Sequence, residues 1–483
     1  MKMSSPRSRL ASLVLTAALV LAPLACSTPS SEEPPAAPDE GGIGERDASR
    51  DIGMTDPYTP SPKPEKDASR DIPPPPPGGW NPWDHPTVWR ELPALEPCEV
   101  YEADLSEYDF PKREWSSCGV GCEVASAQYP IDLDTRQVTS RPALAGTSIG
   151  GEVYLRLNVG APGRGTIHEI VRLPENETIA AIKLRNAGSV RCGMTGYGYD
   201  AALLFPLGVS TGNGQSETWD ARTAWVDQRT ATLIWDKQWL AVSSLPRGVI
   251  PWEEGWGMVL EDGTLRVVES PEATKMTILA SGVSGSFHSA ARGDLIVAAY
   301  RNGVGQRVIG GYSRAKGWRE LIANKDIAIR HVTMSDDYIV WVGLHGPPPA
   351  VGSVSGAEFY WSPIANTPEE IIVTKGPSIH AQDGLDQIKA GGDFAATMGC
   401  RLGEHDTLCE LFVVRLSTKQ LWVLPRRPGG NAYMQLLAVS QDEIVYGEND
   451  RPLLGPAYNQ LVQRLVRLKT AELDAIQAAW VGE

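Results

Sequence analysis

Short apolar runs alternate with polar, glycine-rich breaks along most of the chain. From about residue 150 onward many runs place an apolar residue at every second position, as in EVYLRLNV at residues 152–159. This period puts successive side chains on opposite faces of a β-strand. Asp262-Gly263 stands between two such runs and predicts a hairpin. A short helix is predicted only at the carboxyl end, and the apolar positions on its face are Leu473, Ile476 and Trp480.

An aspartate precedes an apolar strand at four places in the carboxyl-terminal half. The four segments are GDLIVAAY with Asp294, DDYIVWVG with Asp337, GDFAATMG with Asp393 and QDEIVYGE with Asp442. Successive aspartates are 43, 56 and 49 residues apart. Repeats of about 40–50 residues with about four strands each are typical of propeller blades. We predict that each aspartate lies in the tight turn between a blade's first two strands and bonds local backbone, a structural role.

The same rhythm, in a weaker form, predicts further blades upstream. We expect residues 230–242 and 257–269 to form one blade, and residues 191–207 and 152–184 to contribute to two more. Residues 97–110 are expected to supply a strand that closes the ring. The predicted fold is therefore all-β, a β-propeller of about seven four-stranded blades over residues 80–483, with six or eight left open. The prediction includes an amino-terminal extension and the short carboxyl-terminal helix.

The region 293–469 resembles secreted bacterial propellers of the TolB type and related families with six to eight blades. The repeated strand and aspartate pattern carries this resemblance. It implies a fold and no activity, because unrelated functions share propeller folds.

The first 25 residues have the pattern of an export signal peptide. Basic residues precede an apolar run over residues 10–24. About 15 apolar residues are too few for a membrane-spanning helix, which needs about 20. Residues 23–26, PLAC, resemble the bacterial lipobox, and this resemblance implies that Cys26 is acylated and binds membrane lipid. Ser27 follows in place of Asp, which implies an outer-membrane address and leaves open which side of that membrane the protein faces.

Residues 26–79 are predicted to form a disordered, lipid-anchored linker. They are rich in Pro, Ser and Asp and nearly free of aromatic residues. Such a segment does not bury enough apolar surface to offset the entropy lost on ordering. The whole chain has a formal charge of −15, which repels phosphate backbones and argues against a nucleic-acid partner.

Six cysteines follow the predicted lipid-attachment residue, and an even number in an exported chain predicts three disulfides. They are Cys98, Cys118, Cys122, Cys192, Cys400 and Cys409. Fifteen connectivities are possible for six cysteines, and we expect one local pair, Cys400 with Cys409, across a hairpin near Gly403. A metal site on CGVGC needs thiolates, a reducing compartment and a second ligand pair, so none is predicted.

The chain carries no recognisable catalytic motif, and we predict neither an enzyme nor a cofactor. The segment GVSTG around Ser210 matches the residue pattern of a nucleophile elbow, but no predicted helix follows it. We therefore interpret Ser210 as a turn residue. Trp80, Trp83 and Trp89 cluster where the linker meets the domain. They are candidates for stacking on a sugar or a protein partner, or for packing the linker against the propeller. A long insertion at residues 345–356 is a candidate binding loop.

These features predict a membrane-anchored envelope lipoprotein whose propeller serves as a scaffold for an envelope protein or a glycan. One alternative is a glycan-active propeller enzyme, a hydrolase or lyase, with acid and base residues gathered at the central channel. A second alternative is a sensor of a small ligand.

Overall fold

The computed structural model describes residues between 87 and 481, with interruptions. The predicted signal peptide and linker, Cys26, Trp80 and Trp83 lie outside the described residues. The described segments are 87–91, 98–108, 113–126, 128–130, 138–140, 143–149, 151–161, 165–173, 175–186, 191–194, 204–210, 219–227, 232–235, 241–242, 246–252, 255–260, 262–269, 277–283, 289–323, 327–345, 355–365, 367–381, 388–402, 407–430, 433–449 and 464–481.

The described part of the chain is built almost wholly from antiparallel strands. Six strands come before the repeating part: β1 Trp89–Glu91, β2 Cys98–Ala103, β3 Ser116–Gly119, β4 Cys122–Ser126, β5 Gln128–Pro130 and β6 Val138–Ser140. The first three sheets follow, with β7 Ala143–Ile149, β8 Glu152–Ala161, β9 Gly165–Leu173 and β10 Glu177–Asn186; β11 Arg191–Met194, β12 Leu204–Ser210, β13 Trp219–Asp227, β14 Thr232–Trp235 and β15 Ala241–Val242; and β16 Pro246–Trp252, β17 Gly255–Leu260, β18 Leu265–Val268 and β19 Thr277–Ala280.

Four more sheets and one helix complete the described chain. The fourth and fifth sheets contain β20 Ser289–Arg292, β21 Leu295–Arg301, β22 Arg307–Ser313 and β23 Gly317–Ala323; and β24 Ile327–Met334, β25 Tyr338–His345, β26 Ser355–Pro363 and β27 Thr374–Ala381. The sixth and seventh contain β28 Lys389–Gly391, β29 Phe394–Leu402, β30 Thr407–Arg415 and β31 Leu421–Leu424; and β32 Tyr433–Val439, β33 Glu443–Asn449 and β34 Arg464–Lys469. Short 3-10 helices span Pro368–Glu370 and Thr470–Glu472, and α1 spans Leu473–Val481.

The seven larger sheets follow one another around a ring. Within each sheet the main strands pair in chain order. The first strand of one sheet contacts the first strand of the next, from β16 through β20, β24, β28 and β32 to β7. The second sheet contacts the first sheet through β11 and β10, and the third sheet through β12 and β16. This arrangement is a β-propeller, and the predicted all-β propeller fold is confirmed.

The ring closes through a strand from the amino-terminal side, but not through the predicted one. β34 pairs with β4, with Val466 opposite Val124, so the seventh sheet combines the two ends of the repeating region. The predicted segment, residues 97–110, instead forms β2 and extends the first sheet beside β10. Both segments have a strand pattern, and periodicity alone does not determine which sheet edge a strand joins.

The predicted grouping of residues 230–242 with residues 257–269 is wrong. β14 and β15 pair with β13 in the second sheet, whereas β17 and β18 belong to the third sheet with β16 as its first strand. β16 is not recognisable as a strand from the sequence, because it contains two prolines, Pro246 and Pro251. A first strand tolerates proline because one of its edges faces the axis rather than another strand of its sheet.

The four repeated aspartates lie in turns between first and second strands, as predicted, but their hydrogen bonds reach further than local backbone. Three of their carbonyl groups accept bonds from the segment that follows the third strand. These bonds join Ile364 N to Asp337 O at 2.9 Å, Leu416 N to Asp393 O at 2.8 Å and Thr470 N to Asp442 O at 3.0 Å. The Asp393 carboxylate also accepts from Ser417 N at 2.8 Å and Arg415 Nε at 2.9 Å. Two turns at one end of a sheet are therefore held together.

Apolar side chains fill the spaces between neighbouring sheets. Described clusters lie between the third and fourth, fourth and fifth, fifth and sixth, sixth and seventh, and seventh and first sheets. The predicted helix is confirmed as α1, and its buried residues are Leu473, Ile476 and Trp480. They complete the cluster between the sixth and seventh sheets. In the described residues we find no helix of the length and apolarity that a membrane span requires.

Candidate functional site

A small cavity lies on the axis of the ring, between the first strands of six sheets. Its lining residues are Thr147, Ser148, Ile250, Ala290, Ala291, Arg292, Thr333, Lys389, Ala390 and Val439. The cavity volume is about 10 Å³, which is room for roughly one water molecule.

Two cations bridge the channel. Lys389 Nζ, in β28, donates a hydrogen bond to Gly146 O at 3.1 Å, and Arg292 Nη2, in β20, donates to Ser148 O at 2.8 Å. Both acceptors belong to β7, so the bonds join the fourth and sixth sheets to the first across the axis. Backbone carbonyls of an inner strand are good acceptors here because no neighbouring strand covers that edge.

The bridging cations have unequal surroundings. Lys389 is buried, whereas Arg292 is half-buried and its Nε lies 3.6 Å from Asp336 Oδ1 in the turn after β24. None of the described lining residues carries a carboxylate or an imidazole. Arg292 and Lys389 were missed by the sequence analysis, since their only signal is a cation in a short apolar strand shortly before a repeated aspartate turn.

The connections between second and third strands all leave the sheets at one end, because antiparallel strands alternate in direction. Residues 346–354, 403–406 and 450–463 make this connection in the fifth, sixth and seventh sheets. Most of the predicted binding insertion, residues 345–356, lies outside the described residues; its described ends belong to β25 and β26. These three connections lie outside the described residues, but the strands that they join all meet them at the same end of the propeller.

A buried ion pair supports this end of the seventh sheet. Arg427 lies between β31 and β32, and its Nε and Nη2 donate to the two carboxylate oxygens of Glu448 in β33, at 2.7 and 2.8 Å. The pair is bidentate, the geometry in which a guanidinium and a carboxylate interact most strongly. Arg464 Nη1 adds a long bond to Gly429 O at 3.5 Å. The connection from the sixth to the seventh sheet is therefore held to the ring.

Trp89 lies in β1 and packs against the first sheet. Its ring is 5.8 Å from the Tyr108 ring in an edge-to-face arrangement. Lys183 Nζ lies 4.8 Å from the centre of the Trp89 ring and 4.5 Å from that of Tyr101. These are the contacts expected if tryptophan packs the amino-terminal extension onto the propeller.

One disulfide has both of its side chains within the described residues. Cys118 and Cys122 form a disulfide in the β3–β4 hairpin, with their Cα atoms 5.1 Å apart. Cys409 is disulfide-bonded, and its register partner on the adjacent strand is Cys400, as the predicted local pair requires. Cys98 and Cys192 lie in β2 and β11, and their side chains are outside the described set.

Ser210 does not lie in a turn. It is the last residue of β12 and pairs with Arg191 and Trp219 in the second sheet. The interpretation of Ser210 as a turn residue is therefore wrong, because the strand continues through the glycine at position 208. Among the described residues, no group of His, Cys, Asp or Glu is arranged to hold a metal ion.

The geometry defines a class, a multi-bladed β-propeller with a bridged axis. No family model and no curated protein matches the chain. Similar solved structures include an oligogalacturonate lyase from Vibrio parahaemolyticus, at 11% identity and a TM-score of 0.45, covering 74% of this chain and 98% of that chain. Another oligogalacturonate lyase, in complex with manganese, has 11% identity, a TM-score of 0.41 and coverages of 74% and 96%. A putative TolB from Agrobacterium tumefaciens has 11% identity, a TM-score of 0.30 and coverages of 55% and 90%.

Proposed function

We propose that this protein is an envelope lipoprotein, anchored to the outer membrane through acylated Cys26, and that its propeller is a binding scaffold for an envelope protein or a glycan. The observation that carries the scaffold proposal concerns the described strands of three consecutive sheets. Their second and third strands are all joined at the same end of the ring, by the connections 346–354, 403–406 and 450–463. Variable connections on a rigid framework are a common place for binding.

The other end of the sheets is better suited to hold the framework together. There the aspartate carbonyl groups bond the segments that follow the third strands, and Arg292 bridges the axis to Ser148. A rigid base lowers the entropy lost when a partner binds, because less of the scaffold has to be ordered.

The anchor is tested by fractionation of cells that express Cys26→Ser. We expect the wild-type chain in the membrane fraction, where extraction requires detergent, and the variant in the soluble envelope fraction. Each buried lipid methylene contributes about 0.8 kcal/mol to membrane binding, so loss of the acyl chains removes the anchor. Ser27→Ala is the matched control and should remain in the membrane fraction. A membrane-bound Cys26→Ser protein would contradict the anchor.

The scaffold role is tested by crosslinking in intact envelopes, with the full chain tagged at its carboxyl end. One variant replaces residues 346–354 with a Gly/Ser segment of equal length. The matched control replaces residues 270–276, which join the third and fourth strands of the third sheet at the opposite end. We expect a reproducible partner that the first variant loses and the control retains. If both variants recover the partner equally, or if only the tagged chain is recovered, the proposal that this end of the propeller binds the partner is contradicted.

A further inference from the structure

A group of charged side chains lies in the seventh sheet, where the two ends of the repeating region meet. Arg467, in β34, donates from Nε to Glu123 Oε2 in β4 at 2.8 Å, and its Nη2 donates to the same oxygen. Arg467 Nε also lies 3.5 Å from Glu443 Oε2 in β33, which is longer than an ordinary hydrogen bond. We call Arg467, Glu123 and Glu443 the closure cluster. One guanidinium thus lies between two carboxylates, one on each neighbouring strand.

The register of the strands puts the closure cluster on the face that packs against the first sheet. Arg467 is opposite Glu123 in β4 and opposite Val445 in β33. Glu443 is two positions from Val445 and therefore lies on the same face. Val445 belongs to the apolar cluster between the seventh and first sheets. The side chains of the closure cluster are accordingly covered, with Arg467 and Glu443 14% and 13% exposed and Glu123 31% exposed.

The Arg467 guanidinium is held on the side of Glu123. Its central carbon lies 4.8 Å from the centre of the Trp115 ring, which precedes β3. The ring covers the guanidinium, and two N–H groups already donate to the Glu123 carboxylate. Movement toward Glu443 would lengthen those bonds, so the single cation does not satisfy both carboxylates.

Charged groups from several neighbouring elements surround Glu443. The carboxylates are Asp442 in the turn before β33, Glu123 in β4 and Glu175 in the turn between β9 and β10, and the cations are Arg467 and Lys469 in β34 and Arg113 in the segment before β3. Lys469 is opposite Glu443 in register but exposed, so water screens its charge. Arg113 lies beside the turn of Glu175, where its carbonyl oxygen accepts a bond from Asn176 Nδ2 at 2.9 Å. Among the described residues, Arg467 is the cation in contact with Glu443.

This environment disfavours the ionised form of Glu443. Burial raises the pKa of Glu443, and the Arg467 guanidinium opposes this increase. The neighbouring carboxylates of Asp442, Glu123 and Glu175 add to it. A carboxyl group whose pKa is raised by folding binds a proton in the folded chain at a pH where the unfolded chain has lost it. The folded state therefore gains stability as the pH falls toward the ordinary glutamate pKa of 4.5.

We propose that the closure cluster is a pH-sensitive switch that tightens ring closure when the surroundings become acidic. At neutral pH Glu443 is ionised and competes with Glu123 for Arg467, which weakens the attachment of β4 to β34. On acidification Glu443 takes up a proton and becomes neutral, so Arg467 interacts with Glu123 alone. β4 then separates from β34 less often. This switch does not depend on the proposed scaffold function or on the lipid anchor.

The test measures hydrogen exchange of the full chain in detergent by mass spectrometry, at pH 7.5, 6 and 5. Each exchange rate is divided by the intrinsic rate at the same pH, which gives the protection of the backbone amides. The protection of β4 is then compared with that of β21 in the fourth sheet, because this ratio removes changes in the stability of the whole molecule. In the wild type we expect the ratio to rise about threefold or more from pH 7.5 to pH 5.

Three variants show whether Glu443 causes this response. Glu443→Gln has a neutral side chain of similar shape at every pH, so it should protect β4 strongly already at pH 7.5 and respond little to acid. Glu123→Gln leaves Arg467 to Glu443, so the rise on acidification should shrink. The matched control is Glu410→Gln, which removes a half-buried carboxylate from β30 in the sixth sheet and should keep the wild-type response.

Melting temperatures at pH 7.5 show which variants are folded. The proposal is overturned if the ratio does not rise in the wild type on acidification, or if folded Glu443→Gln keeps the full wild-type response. It is also overturned if Glu410→Gln loses the response to the same extent as Glu443→Gln. If Glu443→Gln does not fold, Glu123→Gln decides, because a full wild-type response in that variant contradicts competition for Arg467.

Discussion

Single residues contribute most to this fold where a buried charge depends on one partner. The side chains of Arg427 and Glu448 are 7% and 0% exposed. Arg427→Leu leaves the Glu448 carboxylate buried without its cation, and we expect the free energy of unfolding to fall by about 3–5 kcal/mol. Urea denaturation followed by circular dichroism measures the change.

Two comparisons show whether the loss comes from the unpaired charge. Replacing both residues by Met should recover part of the stability, because no isolated buried charge remains. Arg90→Leu breaks a surface pair with Glu102, in which the arginine side chain is 75% exposed, and should change little. A double variant less stable than Arg427→Leu would contradict the explanation.

His168 makes the stability depend on pH. Burial, together with the positive charge of Arg156, lowers the pKa of His168 well below 6.5. Below about pH 6.5 the unfolded chain therefore binds a proton that the folded chain does not. We expect His168 to lower the free energy of unfolding on acidification from this pH, by up to about 1.4 kcal/mol per pH unit, until the folded pKa is reached.

Denaturation of wild type and His168→Gln at pH 8, 7, 6.5 and 5.5 measures this contribution. The wild type should lose more stability than the variant between pH 6.5 and 5.5, and the two should run parallel between pH 8 and 7. Parallel curves for wild type and His168→Gln throughout would show that His168 titrates normally.

At the scale of strands, the innermost strands approach each other so closely that some positions have no room for a side chain. A Cβ atom at Gly391, in β28, would lie 2.0 Å from Val439 O in β32. A Cβ at Gly146, in β7, would lie 2.6 Å from Leu437 O in the same strand. Backbone atoms do not move aside as side-chain ends do, so these glycines set the spacing of the inner strands.

We therefore expect Gly391→Ala to destabilise the protein by about 1–3 kcal/mol or more, because it forces backbone apart in a packed interior. The matched control is Gly356→Ala in β26, where an added Cβ meets no atom within 4 Å. Thermal unfolding of both variants measures the difference. Equal melting temperatures would show that the inner strands have room to adjust.

At the scale of the molecule, ring closure depends on a strand about 340 residues from its partner. β4 pairs with β34, and Arg467 Nε donates to Glu123 Oε2 at 2.8 Å, a contact with a sequence separation of 344. The Arg467 guanidinium also lies 4.8 Å from the centre of the Trp115 ring. The last sheet is thus incomplete without the amino-terminal segment.

Two truncated chains distinguish the role of β4 in ring closure from the role of the residues that precede β3. A chain that begins at residue 128 lacks β4 and leaves the β34 edge and the surrounding apolar cluster uncovered, so we expect aggregation or loss of cooperative unfolding. A chain that begins at residue 113 keeps β3 and β4 and should still unfold cooperatively, with a lower melting temperature. Size-exclusion chromatography and thermal circular dichroism distinguish the two. A monomeric, cooperative chain from residue 128 would contradict closure by β4.

The sequence by itself determined the all-β character, the aspartate turns, the helix α1 and the hairpin at Asp262-Gly263. Each depends on a local period or a local turn residue. The second strands of the repeats were predicted because they are buried on both faces and nearly all apolar. First strands such as SAAR at residues 289–292 and KAG at residues 389–391 are too short to show a period.

Only the tertiary structure decided which sheet each amino-terminal strand joins and that Arg292 and Lys389 bridge the axis. The Lys389–Gly146 bond joins residues 243 positions apart, and the Arg292–Ser148 bond joins residues 144 apart. Local sequence propensity does not predict such contacts, because they form only after the sheets have assembled around the axis. The role of a single arginine or lysine in an apolar strand therefore depends on the assembled ring. Its neighbours are the carbonyl groups and charges that the other sheets place next to it.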